Sequence, residues 1–187
     1  SLVYVPGGPQ AGAEFTLVWV DRKGTEQPLP APPHRYVNPR LSPDGRRVAY
    51  STIGSELRLH VYDLTRGTES PLTAEGKSLF LTWTPDGKRL VFSWLNSGAE
   101  NLYWQAADGS SPMERLTTSE YSQNPGALTP DGATLAFEEN HPNENHDILL
   151  LDLNSRRVTP YMNSRFDERY PAFSPNGRWL AYSSNES

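Results

Sequence analysis

"LSPDGRRVAY", at residues 41–50, sets a Pro-Asp-Gly turn between two short apolar runs. Pro presets the backbone for the first turn position, Asp tolerates the next, and Gly supplies the positive φ that a tight hairpin needs. The chain writes the phrase three more times, as "WTPDGKRLVF" (83–92), "LTPDGATLAF" (128–137) and "FSPNGRWLAY" (173–182). The turn glycines Gly45, Gly87, Gly132 and Gly177 stand 42, 45 and 45 residues apart. Self-similarity at about 40–45 residues is the sequence sign of a repeating four-stranded sheet.

Each copy can be read strand by strand. A first strand runs into the turn: "NPRLS" (38–42), "FLTWT" (80–84), "GALT" (126–129) and "YPAFS" (170–174). A second leaves it: "RVAYS" (47–51), "RLVFS" (89–93), "TLAFE" (134–138) and "WLAYS" (179–183). The third strands are "LRLHVYDL" (57–64), "NLYWQA" (101–106) and "DILLLDL" (147–153), and the fourth hold "SPLT" (70–73), "ERLT" (114–117) and "VTPYM" (158–162). At the start, "LVYV" (2–5), "TLVWVDRKG" (16–24) and "QPLP" (27–30) read as second, third and fourth strands. In "LRLHVYDL", Leu57, Leu59 and Val61 share one face, and Arg58, His60 and Tyr62 share the other, which reads as outward. No stretch of ten or more residues carries a capped helical period. The expectation is an all-β propeller of four-stranded antiparallel blades, four to five of them present, in a single domain over 1–187. Its repeats fall at about 2–46, 47–88, 89–133 and 134–178, with a partial one at 179–187. This strand count describes a section of a larger propeller, and its incomplete terminal blades are expected to invite self-association.

Composition narrows the class. Of 187 residues, 17 are Pro and 14 Gly, which suits many short strands and tight turns. A net charge of -5 excludes the basic face of a nucleic-acid binder. With no cysteine, disulfides and thiolate metal sites are excluded. No run approaches the roughly 18 apolar residues of a membrane span, so direct membrane insertion is not expected.

The Ser/Thr-Pro-Asp-Gly turn followed by Lys/Arg, an apolar residue, Ala/Val, Tyr/Phe and Ser resembles the PD40 repeat, the WD40-like repeat of TolB propellers. The stretches 2–33 and 170–187 look more narrowly like the C-terminal propellers of bacterial Ser/Thr protein kinases. That resemblance implies a periplasmic or otherwise extracytoplasmic sensing domain. Similar propellers precede the hydrolase domain of prolyl-oligopeptidase-like peptidases, which leaves a substrate-gating propeller as an alternative, beside a TolB-like envelope scaffold.

Motifs of catalysis are missing. There is no G-x-S-x-G turn, no phosphate-binding loop and no kinase signature, so the chain reads as non-enzymatic and without a cofactor. Asp44, Asp86 and Asp131 are explained by turn chemistry, and Asp21, Asp63 and Asp152, each closing a third strand, by a structural turn role. "EENHPNENHD" (138–147) reads as a polar loop between strands. Its His141 and His146, with Glu138, Glu139, Glu144 and Asp147, match no metal-ligand spacing, so no metal is expected. Among the five tryptophans, Trp94 is the best candidate for an exposed aromatic. Recognition is expected in the segments just before the first strands, at Arg35 and Tyr36, Lys77, Tyr121 and Gln123, and Asp167, Glu168 and Arg169. Their mixed charge suits a peptide or protein partner rather than a polyanion.

Overall fold

The structure, a computed structural model, describes residues 2–4, 14–54, 57–95, 97–142 and 145–186. Val5 and Glu144, named above, lie outside the described residues. Every regular element among them is a strand, with no helix, and so none long and apolar enough to cross a membrane. The chain divides into two compact units, Ser1–Leu79 and Phe80–Ser187.

The first unit holds two antiparallel sheets. One has three strands in the order β1 (Leu2–Tyr4), β2 (Val18–Val20), β3 (Glu26–Pro28). The other has four, β4 (Tyr36–Leu41), β5 (Arg47–Ile53), β6 (Leu57–Asp63) and β7 (Thr68–Pro71). The second unit holds β8 (Leu81–Trp83) to β11 (Glu114–Arg115), with β9 (Arg89–Trp94) and β10 (Asn101–Ala106) between them. It also holds β12 (Ser122–Leu128), β13 (Thr134–Asn140), β14 (His146–Asp152) and β15 (Val158–Met162), and a two-stranded sheet of β16 (Glu168–Phe173) and β17 (Leu180–Ser184). Strand order follows chain order in every sheet, the meander of a propeller blade. Each strand read from the repeat overlaps an observed one, including second, third and fourth strands at the start of the chain, though the bounds differ.

The turns repeat atom for atom. Gly45, Gly87, Gly132 and Gly177 have φ between 67 and 72°. Each donates its N–H over 2.8 Å to the carbonyl three residues back, on Ser42, Thr84, Thr129 and Ser174. The hydroxyl of that Ser or Thr donates to the turn acid, 2.6 Å to Asp44, Asp86 and Asp131 and 2.8 Å to Asn176. The same acid oxygen accepts the N–H two residues on, from Arg46, Lys88, Ala133 and Arg178. Hydrogen bonds from Ser42, Thr84 and Thr129, with the backbone bonds second, hold the three Asp carboxyls below their usual range. The acids that close third strands act in a parallel way. Asp21, Asp63 and Asp152 each accept two N–H groups of the following turn.

The middle strands of the four-stranded sheets bury residues on both faces, and this overturns one expectation. Leu59 and Val61 are buried on one face of β6, but Tyr62 on the other is equally buried and donates from its hydroxyl to Pro30 O. It joins Leu17, Leu29, Tyr36, Val48 and Tyr50 in the core of the first unit. His60, expected to point outward, packs with them, its ring parallel to that of Tyr50. A blade covered on both sides has no solvated face, so alternation along its strands does not separate inside from outside. The second unit has the matching core of Val91, Leu102, Leu116, Leu135, Phe137 and Leu151. Trp94 is not the exposed aromatic: it is half-buried, edge-on to Tyr103 at 5.0 Å, whereas Trp179 is 70% exposed.

Candidate functional site

Pairing from the turns outward aligns the first strands and shows where their starts depart from expectation. Tyr36, Gln123, Glu168 and Arg169 are expected in loops before the strands, but all four lie within β4, β12 and β16. The reason is a bulge in each of these strands, between Val37 and Arg40, Pro125 and Ala127, and Arg169 and Ala172. The inserted residue breaks the alternation that marks a strand, and pairing resumes beyond it. Arg35, Lys77, Tyr121 and Asp167 do lie outside the named strands.

The expected recognition residues fall in both units. In the first, Lys77 is exposed and Arg35 half-buried, with its carbonyl accepting the Ile53 N–H. Tyr36 is buried, its ring edge-on to Tyr50 at 4.7 Å, and its hydroxyl donates to Pro32 O. Burial, with the Glu69 charge adding to it, pushes the Tyr36 hydroxyl well above its ordinary range.

In the second unit the residues join two networks on opposite faces of β13 and β14. Glu139 and Asp147 are direct cross-strand partners, two carboxylates on one face. Such a pair repels unless something bridges it. His141 Nε2 lies 3.1 Å from Asp147 and 3.7 Å from Glu139. Gln123 donates from Nε2 to Glu139 over 2.7 Å, and its carbonyl accepts the Thr117 hydroxyl. The Tyr121 ring lies 4.4 Å from that of His141, tilted by 54°, and the two rings open onto a cavity of about 400 Å³ bordered by Asn145, Asp147 and Ser164. Burial raises the Asp147 carboxyl, against the pull of His141.

On the other face, Asp167 gathers donors. Arg169 Nε donates to it over 2.7 Å, the His146 backbone N–H donates over 3.0 Å, and His146 Nδ1 lies 2.9 Å away. Burial works to raise the Asp167 carboxyl, but these hydrogen bonds outweigh it and hold the group below its usual range. Glu138 accepts the Tyr170 N–H over 2.5 Å, and its burial raises its carboxyl. Glu168 is wholly buried, and the Ser164 hydroxyl donates to it. Half of the "EENHPNENHD" stretch is therefore strand: Glu138, Glu139 and Asn140 end β13, and His146 and Asp147 begin β14, both buried. Among the described residues, no group of three or more His, Asp or Glu is arranged to hold a metal ion.

One residue escapes the sequence reading. Tyr170 sits in the β16 bulge with φ at 58°, and its side chain is 70% exposed. A bulky residue in the left-handed region costs energy that the surroundings must supply. Here the Glu138 hydrogen bond holds the backbone and the ring is left in solvent beside Arg169. Position 170 aligns with Asn38, Phe80 and Pro125, and nothing in the sequence marks a positive φ there.

Comparison with known proteins matches the sheet architecture. The family model described as "TolB beta propeller domain" matches residues 3–187. The chain is 24% identical over 192 aligned residues to a protein described as uncharacterized peptidase YuxL of Bacillus subtilis, covering 79% of this chain and 29% of that protein. It is 27% identical over 153 residues to uncharacterized protein Atu1656 of Agrobacterium fabrum, covering 75% of this chain and 52% of that one. The chain thus spans about half or less of the length of these relatives. Among solved structures, TolB from Acinetobacter baumannii superposes with a TM-score of 0.74 at 23% identity, covering 95% of this chain and 44% of that one.

Proposed function

Because the chain belongs to the TolB β-propeller domain family, we propose that it is a non-catalytic recognition module that binds a protein or peptide segment. The bound segment meets the starts of the first strands in the second unit. The observation that carries this reading is Tyr170: an exposed ring on a strained backbone, flanked by the Arg169–Asp167–His146 cluster. Strain of this kind persists where a side chain must be aimed, and an exposed Tyr beside a charged pair suits a peptide better than a polyanion. On the opposite face of β13 and β14, Tyr121 and the cavity beside His141 supply a second polar surface, with Gln123 buried against Glu139. Arg35, Tyr36 and Lys77 are proposed as contacts of the first unit in its own right. The location we propose is extracytoplasmic, as the outer domain of a bacterial receptor kinase, on the resemblance of 2–33 and 170–187.

Panning a displayed random-peptide library against the purified chain tests the reading. Peptides enriched on the parent should lose tenfold or more in affinity on Arg169→Ala. A library that yields no enriched peptide, or peptides indifferent to Arg169→Ala and to Tyr170→Gly alike, would overturn it. A second reading, a propeller that gates substrates for a peptidase, is favoured by the similarity to YuxL, whose description names a peptidase. Sequencing the parent gene on both sides separates the two: a hydrolase with a nucleophile turn downstream supports the gate, and a kinase with a membrane span upstream supports the receptor.

A further inference from the structure

One carboxylate in the first unit is shared by three side chains from three different segments. Glu69 lies on β7. Its Oε1 accepts the Tyr50 hydroxyl of β5 over 2.6 Å. The same oxygen lies 3.1 Å from His34 Nε2, with Oε2 at 3.3 Å from that nitrogen. It also lies 3.1 Å from His60 Nδ1 of β6. That last contact is an ion-pair distance without hydrogen-bond alignment: His60 Nδ1 is buried and makes no hydrogen bond. The other ring nitrogen of His60 lies 3.3 Å from the Thr52 hydroxyl.

His34 is the only one of the three outside the sheet. It belongs to the crossover, residues 29–35, that leads from β3 into β4. Its backbone is bridged to Phe15, and its ring lies edge-on to Tyr36 at 5.5 Å and 5.9 Å from that of His60. Glu69 therefore ties the crossover to the outermost strand of the sheet.

We propose that His34, Glu69 and His60 form an acid-released latch, in which protonation of His60 draws Glu69 away from His34 and frees the 29–35 crossover. The mechanism is competition for one acceptor. A neutral His60 needs nothing from Glu69, and its out-of-line Nδ1 makes no demand on the carboxylate. A protonated His60 presents a buried N–H that must find an acceptor. Glu69 Oε1, 3.1 Å away, is an acceptor within reach, already used by Tyr50 and His34. Turning the carboxylate into line with Nδ1 takes it off Nε2 of His34. The charges that face His60 agree with this order. Glu69 on β7 favours the proton. His34 on the crossover and Arg58 on its own strand oppose it, and Tyr50 on β5 and Tyr36 on β4 stay uncharged. Burial is the largest influence and keeps His60 below the ordinary histidine range. His34, with about a third of its side chain exposed, faces water.

A histidine with a depressed folded value stabilises the latched state above its ordinary range, and that contribution is lost as pH falls below it. Glu69, whose carboxyl is also held low, loses its contribution at still lower pH, in the same direction. Opening of the crossover should rise by up to about tenfold per pH unit below the ordinary histidine range, the limit for one proton.

The test is hydrogen exchange of the whole chain between pH 7.5 and 5.0, corrected for the intrinsic pH dependence of exchange. We expect the amides of Leu29, Ala31, His34, Arg35 and Tyr36, the residues of 29–36 that are not proline, to open more as pH falls, and this rise to flatten in His60→Gln. Unchanged opening of 29–36 in the parent, or the same rise in His60→Gln, would overturn the latch. If His60→Gln does not fold, the ring signals of the parent decide the matter by NMR. His60 titrating below the ordinary histidine range supports the latch, and His60 titrating within or above that range sinks the idea.

Discussion

The turns that join first to second strands and the segments that lead into the first strands lie at opposite ends of the same hairpins, yet they differ in kind. Four turns use one set of bonds, down to 2.8 Å from each glycine N–H to the carbonyl three residues back. The first-strand starts share no such set. The aligned positions hold Tyr36, Ser78, Gln123 and Glu168, all buried, and each is satisfied differently or, for Ser78, has no hydrogen-bonded partner for its hydroxyl. Repetition marks what every blade needs to fold, and variation marks where each blade is free to differ. A ligand site belongs to the second kind. The polar networks of the second unit, the strained Tyr170 and the cavity beside His141 are all found there.

The largest effect is expected where two first strands approach each other. A Cβ on Gly126 would lie 2.6 Å from Pro171 Cγ, 2.9 Å from Ala136 O and 3.0 Å from Pro171 O. Two of those atoms are backbone and the third belongs to a stiff ring, so nothing can yield cheaply. Gly126→Ala should cost about 3 kcal/mol. Gly45→Ala makes the contrast: its Cβ meets open space, and only the φ of 70° opposes it, at about 1 kcal/mol. Chemical denaturation of both variants checks the ranking, and equal losses would mean that β12 and β16 do not approach as closely as described.

The turns should tolerate substitution by degree. Asp86→Ala removes the acceptor for Thr84 and for Lys88 N–H, at about 1 kcal/mol. Asp86→Asn should cost less, because Asn176 already fills the role in the last turn. The Asp86 contribution is present above the ordinary aspartate range and fades as pH falls through its depressed value. Melting curves of parent and Asp86→Asn should therefore converge in acid, and a gap that widens there would contradict the assigned bonds.

This difference between the two ends also explains what the sequence discloses. Proline and glycine at fixed offsets carry their conformations with them, so period, strand order and turn bonds are legible from "SPDG" and its copies. The first-strand starts are set by bulges at Asn38 and Tyr170 with no glycine to announce them. Reading outward from the turn places Arg35, Lys77, Tyr121 and Asp167 in connecting segments, as observed, but carries Tyr36, Gln123, Glu168 and Arg169 out of their strands. His60 departs from expectation for another reason. Alternation reports a solvated face only when one exists, and around His60 and Tyr62 β6 is covered on both. The pairing of Glu139 with Asp147, and hence the need for His141 and Gln123 between them, follows from register alone. Register depends on where β13 ends, and the polar run "EENHPNENHD" hides that point.

Glu138 offers a smaller effect of opposite sign. It stands where Ser51 and Ser93 stand in the earlier sheets, and its burial raises its carboxyl. The protonated form is favoured in the fold, so the charged form costs stability above the raised value, and the cost disappears as pH falls to the ordinary glutamate range. Glu138→Gln keeps an oxygen for the Tyr170 N–H and removes the charge. It should be more stable than the parent at pH 7.5, by about 1 kcal/mol or less, with the two converging by pH 4. A less stable Glu138→Gln at pH 7.5 would mean that the charge, and with it Arg169 and His146, holds this face together.

Tyr170→Gly should change stability least of all. Glycine relieves the left-handed strain, about 1–2 kcal/mol, but loses a similar amount in backbone entropy, about 0.5–1 kcal/mol. The tyrosine is 70% exposed and gives up little packing. The melting temperature should therefore stay near that of the parent or rise slightly. Peptide affinity should fall by tenfold or more, about 1.4 kcal/mol. This separation is the sharpest form of the contrast between the two ends: at a turn, removing the special residue harms folding and nothing else, whereas here it spares folding and harms recognition. A variant that loses stability and keeps peptide binding would place Tyr170 among the structural residues and remove the main support for this site.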